Sequence, residues 1–131
     1  MAYEHRKLTV DDVPQAWQLS RIAFGGPPTA PQGWATERAG RSTWGMFEHG
    51  RLVAKAVDRE QHQWFGGRVI STAGVAGVAV VPERRGAGLA RTLLTQLLEH
   101  ARERGAVLST LFRTTPLPYR RLGYEQVGAL R

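Results

Sequence analysis

The sequence predicts an α/β fold, α+β in its first half: an N-terminal antiparallel meander, then βαβ, on one mixed central sheet. Three observations carry this expectation. Residues 75–81 form an almost continuous apolar run, the pattern of a strand covered on both faces. Residues 88–104 put Leu89, Leu93, Leu94, Leu97, Leu98 and Ala101 on one side of a helix, with Gly105 as its stop. Ahead of both, turn signals at His49-Gly50 and Gly66-Gly67 separate segments of strand composition. The 131 residues suffice for one packed domain, 1–131, but not for two.

The elements follow in order. Residues 3–10 read as a first strand, and Asp11-Asp12-Val13-Pro14 as a helix start with an acid at the N-cap and an early proline. Val13, Trp17, Leu19, Ile22 and Phe24 supply the apolar side of that helix. Residues 25–41 are rich in glycine, proline and alanine and read as a long loop with one short helix near 34–39; loops of that length are usually functional or mobile. Residues 43–47 and 51–58 form a hairpin, 68–72 a further strand, and 75–81 the strand at the sheet centre. With the helix at 88–104 and a strand at 107–112, residues 75–112 make one βαβ crossover with parallel strands. Residues 116–122 suit a short helix, and 124–130 begin a last strand.

Composition narrows the function classes. Cysteine is absent, which removes disulfides, thiolate nucleophiles and cysteine zinc sites. His5, His49, His62 and His100 lack ligand spacing, so no metal is expected. No apolar run approaches the ~20 residues of a membrane span, and residues 1–7 lack the apolar stretch of a signal peptide. A cytoplasmic location without membrane contact is therefore the expectation. The formal charge of +7 is almost all arginine, because Lys7 and Lys55 are the only lysines. Such a balance favours an anionic partner, either nucleic acid or a multiply phosphorylated ligand. The arginines are spread along the chain and are not interleaved with aromatics, which counts against a nucleic-acid stripe.

The most specific signal spans residues 78–91. Pro82 stops the central strand, and Arg84-Arg85-Gly86-Ala87-Gly88 then opens onto the long helix. The first turn of a helix leaves backbone N–H groups unpaired and carries a partial positive charge, so it accepts an anion. Gly86 and Gly88 remove the Cβ atoms that would hold a diphosphate away, and Arg84 and Arg85 offer forked donors. A Rossmann turn would need glycine where Arg91 stands and an acid about 20 residues further on, and a Walker A loop would need Gly-Lys-Ser/Thr. Without wider context, the glycines equally well shape a plain strand-to-helix turn.

That context is present. Arg85-Gly86-Ala87-Gly88-Leu89-Ala90, with a strand before it and a helix after, resembles the Arg/Gln-x-x-Gly-x-Gly/Ala signature of the GCN5-related N-acetyltransferases (GNAT). More narrowly, Val78-Ala79-Val80-Val81-Pro82 with Arg84-Arg85, and Tyr119-Arg120-Arg121-Leu122-Gly123-Tyr124, resemble the Eis-type branch. The likeness covers most of the chain and is sharpest from 75 to 124. It implies a GNAT-like mixed sheet and transfer of acetyl from acetyl-CoA, the cosubstrate, to a primary amine by direct attack in a ternary complex. Val78, Ala79 and Val80 would lend their backbone to the pantetheine arm. Arg84, Arg85, Gly86, Ala87, Gly88, Leu89, Ala90 and Arg91 would hold the pyrophosphate, and Thr114 and Thr115 would border the cofactor. Tyr119 would protonate the leaving thiolate, with Arg120 or Arg121 steadying its charge. Phe24 and Trp34 would line the acceptor pocket, beside a loop, Gly25-Gly26-Pro27-Pro28, that brings no carboxylate to attract a polycation such as an aminoglycoside. Apart from the resemblance, the threonines suit a turn, Tyr119 a packed aromatic with a bonded hydroxyl, and Phe24 and Trp34 core anchors.

Domains of this family normally carry one more strand after the one beginning near Tyr124, and Eis-type chains continue into further domains. The resemblance therefore implies a minimal or truncated domain lacking the final strand, completed by a homo-oligomer or a missing C-terminal segment that covers the open sheet edge. Two other functions stay open. One is an inactive acyl-CoA-binding or regulatory module, because no carboxylate lies between Ser71 and Val81 to act as base, and Glu60, Glu83 and Glu125 read as surface charges. The other, less favoured, is a small basic nucleic-acid-binding protein. The amine acceptor itself is not identified.

Overall fold

The computed structural model describes residues 3–34, 39–112 and 119–127. In chain order these form β1 (Glu4–Lys7), α1 (Val13–Phe24), β2 (Arg41–Glu48), β3 (Arg51–Phe65), β4 (Arg68–Val80), α2 (Leu89–Glu103) and β5 (Leu108–Leu111), with 3₁₀ turns at Val10–Asp12, Pro82–Arg84 and Tyr119–Leu122. The sheet order is β1-β2-β3-β4-β5; the first three pairings are antiparallel and β4–β5 is parallel. This is the expected mixed sheet, with meander first and βαβ after.

The boundaries moved for identifiable reasons. β1 stops at Lys7 because the next residues turn into the 3₁₀ segment, which Asp12 organises. Its carboxylate accepts from the Thr9 N–H at 2.8 Å and from both terminal nitrogens of Arg6 at 2.7 and 3.0 Å, and it does not cap α1. On α1 the buried face is Ala16, Trp17, Leu19 and Ser20; Ile22 and Phe24, expected in the core, are 58% and 47% exposed. They lie off the row that meets the sheet. β3 runs seven residues past its expected end at Asp58, and the two strands expected at 68–72 and 75–81 are one continuous β4. Residues 59–63 are polar and carry no burial signal, yet 59–65, with Trp64 and Phe65 exposed at the end, pair with 68–74 as an exposed ribbon held by ladder hydrogen bonds. Gly74 does not break that ribbon. A Cβ there would stand 2.6 Å from the Gln61 side chain, so the glycine makes room across the ladder.

Residues 124–127, expected to open a last strand, have no strand structure. Residues 32–34 form a turn, while the rest of the short helix expected near 34–39 falls partly on 35–38, outside the described residues. Of the helix expected at 116–122, only the 3₁₀ turn Tyr119–Leu122 lies within them.

Trp44 and Ala56 face each other across β2 and β3, as do their neighbours Gly45 and Lys55. Successive side chains alternate between faces. Trp44 stacks on His100 of α2 at 4.1 Å, whereas Lys55 reaches toward Trp34 and borders a cleft shared with α1. The two helices thus cover opposite faces of the sheet, and Phe47, Val53, Leu93, Leu94 and Leu97 are fully buried in the core.

Candidate functional site

β4 carries the irregularity on which the site is built. Its register with β3 pairs Val57 with Ala76 and Lys55 with Ala79, so Gly77 and Val78 together oppose the single residue Ala56. This is a β-bulge, and Gly77 sits in it at φ +58°, a conformation glycine adopts without strain. On its other side β4 pairs with β5 only from Thr72 to Val75. Residues 76–80 continue without a β5 partner among the described residues, which leaves main-chain groups facing the gap. Val78 and Val80 are half-buried there and Ala79 is buried.

The turn after β4 brings the predicted anion-binding residues together. Val81 ends ladder pairing with an N–H bond to Val53 O at 2.9 Å, and Pro82–Arg84 make one 3₁₀ turn. Gly86 and Gly88 both have positive φ, +82° and +77°, and a Cβ on either would meet nothing within 4 Å. The turn is therefore open toward solvent, and Gly88 caps α2 with no side-chain cap. The first backbone N–H to bond back is that of Thr92, to Gly88 O at 3.1 Å. The N–H groups of Leu89, Ala90 and Arg91 belong to the first turn, where intrahelical partners are lacking. Leu89 is buried, Ala90 half-buried, and Arg85, Ala87 and Arg91 are exposed.

The two arginines expected to act alike are held differently. Arg84 is held by Glu48 of β2 through contacts of 2.6 and 3.3 Å, which ties the turn to the meander and lowers the Glu48 pKa. The Arg85 Nε donates to Val80 O at 3.3 Å from an exposed position, so its remaining donors face outward. Arg85 is thus the outward-facing cation of the turn and Arg84 its anchor.

A cleft of about 750 Å³ lies on the α1 face and reaches β4 at Ala76 and Gly77. Phe24 and Trp34, predicted as pocket aromatics, both line it. The long loop is folded back onto α1 to make this wall: the Trp17 indole donates to Pro27 O at 3.0 Å and packs edge-on against Trp34 at 5.0 Å. Lys55 also lines it, a residue not expected at the site. Its pKa falls to about 8, first because it is buried and second because Arg41 is near. The available signal was a lysine set inside the apolar stretch 52–57.

Tyr119 is 8% exposed and belongs to the buried cluster that includes Val81, Leu89 and Leu93. Its ring packs edge-on against Tyr124 at 6.0 Å, and the Tyr124 hydroxyl is hydrogen-bonded to Ser109 of β5, which fixes this segment against the sheet. Burial pushes the Tyr124 pKa up. Arg120 pairs with Glu125 at 3.1 Å on the surface. Thr114 and Thr115 lie outside the described residues. His5 and His100, remote in sequence, meet around Trp44 as stacked rings, but among the described residues no three potential ligands gather for a metal. No helix among them is long and apolar enough to cross a membrane.

The family model described as acetyltransferase (GNAT) domain matches residues 4–127. No curated protein matches. Among solved structures, an acetyltransferase from Trypanosoma brucei is 27% identical, with a TM-score of 0.84 over 99% of this chain and 97% of that one. Eis1 from Mycobacterium abscessus is 25% identical with a TM-score of 0.77; the match covers 94% of this chain but 31% of Eis1. A predicted acetyltransferase from Clostridium acetobutylicum, solved with acetyl-CoA, shares the fold at 14% identity, with a TM-score of 0.80 over 99% of this chain and 94% of that one.

Proposed function

Because the chain belongs to the GNAT acetyltransferase family, we propose that residues 1–131 act as one domain that transfers acetyl from acetyl-CoA to a primary amine by direct attack in a ternary complex. The observation that carries this reading is the placement of residues 76–80 of β4. They lack a β5 partner among the described residues, and they lie between the open turn at 85–88 and the floor of the cleft.

The residues fit the cosubstrate. The amides of the first α2 turn, with Arg85, suit a diphosphate, and glycine at 86 and 88 lets oxygens approach the main chain. An extended pantetheine arm suits the edge of β4 at 76–80 that lacks a strand partner among the described residues, as an added strand does. Acetyl-CoA supplies an activated thioester. The chain's part is to hold its carbonyl near a main-chain N–H of residues 78–80 and to admit a neutral amine from the cleft. The amine nitrogen bonds to the carbonyl carbon, the carbon–sulfur bond breaks, and the thiolate takes the Tyr119 phenolic proton. The proton shed by the amine nitrogen leaves to solvent, and the Tyr119 phenolate regains one from solvent. Within the family we read the chain as Eis-type, on residues 78–85 and 119–124.

A second reading, an acyl-CoA-binding module without turnover, is favoured by the lack of a carboxylate among the described residues of the cleft. Calorimetry with acetyl-CoA and thiol release over a panel of amines separate the two. Stoichiometric binding with amine-dependent thiol release supports the enzyme; binding without release supports the module; and no binding removes both.

A further inference from the structure

Lys55 stands in the middle of β3 with 2% of its surface exposed, and an ammonium is costly to bury without a counter-charge. Its Nζ donates to Gly77 O at 3.0 Å and lies 6.0 Å from the Trp34 ring. Neither partner is an anion. The charged group felt most strongly is Arg41, which has the same sign and, with burial, lowers the lysine's pKa to about 8. At neutral pH the side chain is still mostly protonated. Lys7 and Arg59 border the same cleft, and no Asp or Glu among the described residues does. The other walls are largely apolar, with Leu8, Val13 and Phe24 among them.

The charged groups that the described residues bring to this cavity repel a second cation and include no carboxylate for a polyamine. An anion placed beside Lys55 would relieve both the buried charge and the repulsion from Arg41, through a charge-assisted hydrogen bond in a site of low dielectric. We propose that the cleft selects amines that also carry an anionic group, a carboxylate or a phosphate, held by Lys55 with Arg59 nearby while the amine faces β4 at Ala76 and Gly77. The acceptor role rests on the acetyl-transfer reading, whereas recognition of the anion rests on Lys55 and its surroundings. The positive lining also favours the neutral form of the amine, which is the form that attacks.

Calorimetry on the coenzyme A-saturated protein tests this with matched probes: phenylalanine against phenylalaninamide, phosphoethanolamine against ethanolamine, and spermidine as a cationic control. At least one anionic probe should bind tenfold or more tightly than its neutral twin. Lys55→Met should erase that difference while coenzyme A affinity stays within twofold, and Arg59→Gln, at an exposed position, should narrow it. Preference in the first pair alone points to an amino-acid-like acceptor and in the second alone to an aminophosphate; either supports the proposal. Equal or undetectable binding within both pairs, or tightest binding of spermidine, overturns it. Thiol release from acetyl-CoA, followed in parallel, keeps the two failures apart. Transfer to both twins at equal kcat/KM leaves acetyl transfer standing and removes anion selection. Anion binding that Lys55→Met abolishes, without any transfer, does the reverse.

Discussion

Tyr119 and Lys55 are both buried, but they make opposite predictions. If the Tyr119 hydroxyl gives its proton to the thiolate, Tyr119→Phe removes one proton donor and nothing that grips the cosubstrate. A kcat loss of about 10²-fold with an unchanged coenzyme A Kd is expected, in line with the usual contribution of a positioned acid. Unaltered turnover would take Tyr119 out of the chemistry. Lys55 burdens the fold instead. Its pKa of about 8, against an ordinary 10.5, corresponds to roughly 3 kcal/mol of disfavoured charge. The folded pKa is the lower one, so the full cost applies below pH 8, shrinks between 8 and 10.5, and vanishes above. Lys55→Met should therefore raise the unfolding free energy read by urea denaturation at pH 7, by about 1–3 kcal/mol once the lost bond to Gly77 O is counted, and raise it less at pH 10. Destabilisation at pH 7 would mean that Lys55 serves mainly to brace the bulge. Gly88 is a third case: space is open around it, but φ is +77°, so Gly88→Val strains the turn through its backbone alone. Coenzyme A should bind it at least tenfold more weakly.

At the scale of elements, the Arg6–Asp12 clamp fixes β1 to the start of α1. Asp12 is buried, and the Arg6 hydrogen bonds, followed by the Thr9 contacts, hold its pKa at about 2 against an ordinary 3.8. That depression stabilises the fold above pH 4 by up to about 2 kcal/mol, and the contribution fades as pH falls from about 4 to 2. Asp12→Ala should lose about that much at pH 7 by chemical denaturation and show little difference from the parent near pH 2; an equal gap at both pH values would deny the carboxylate its role. The sequence signalled an acid at this helix start but not its partner, because local spacing does not reveal which arginine of a neighbouring strand lies within reach. The same limit explains the rest. The apolar run at 75–81, the glycine turn and the leucine face of α2 were legible because burial and turn geometry are written into residue type. The ribbon at 59–74 was not, since ladder hydrogen bonds leave no periodic mark. Gly77 looked like one more residue of a strand, and only the register with Ala56 reveals the bulge.

Across the whole molecule, part of the basic charge is locally paired. Arg6, Arg51, Arg84, Arg104 and Arg120 are each matched to a carboxylate, at Asp12, Glu83, Glu48, Asp58 and Glu125. Each pair takes up one base and one acid, so the net charge of +7 stays with the remaining cations. Among the other cations, Arg85 and Arg91 flank the turn and Lys55 and Arg59 border the cleft, while Arg21, Arg68, Arg102 and Arg121 lie elsewhere. The open turn and the cleft suit small anions gripped at short range, whereas the spread remainder forms no even stripe for a long duplex. Coenzyme A at 100 times its Kd should stabilise the folded state by about 2.7 kcal/mol, a rise in melting temperature of about 10 °C for a chain of this size. The rise should persist at 0.2 M salt, because main-chain donors carry much of the grip. Binding to a random duplex, if seen at low salt, should fall steeply by 0.2 M, as counterion release requires. A duplex that still binds tightly there, with no thermal shift from coenzyme A, would make the basic surface the functional one and leave the turn at 85–88 as a plain connection between β4 and α2.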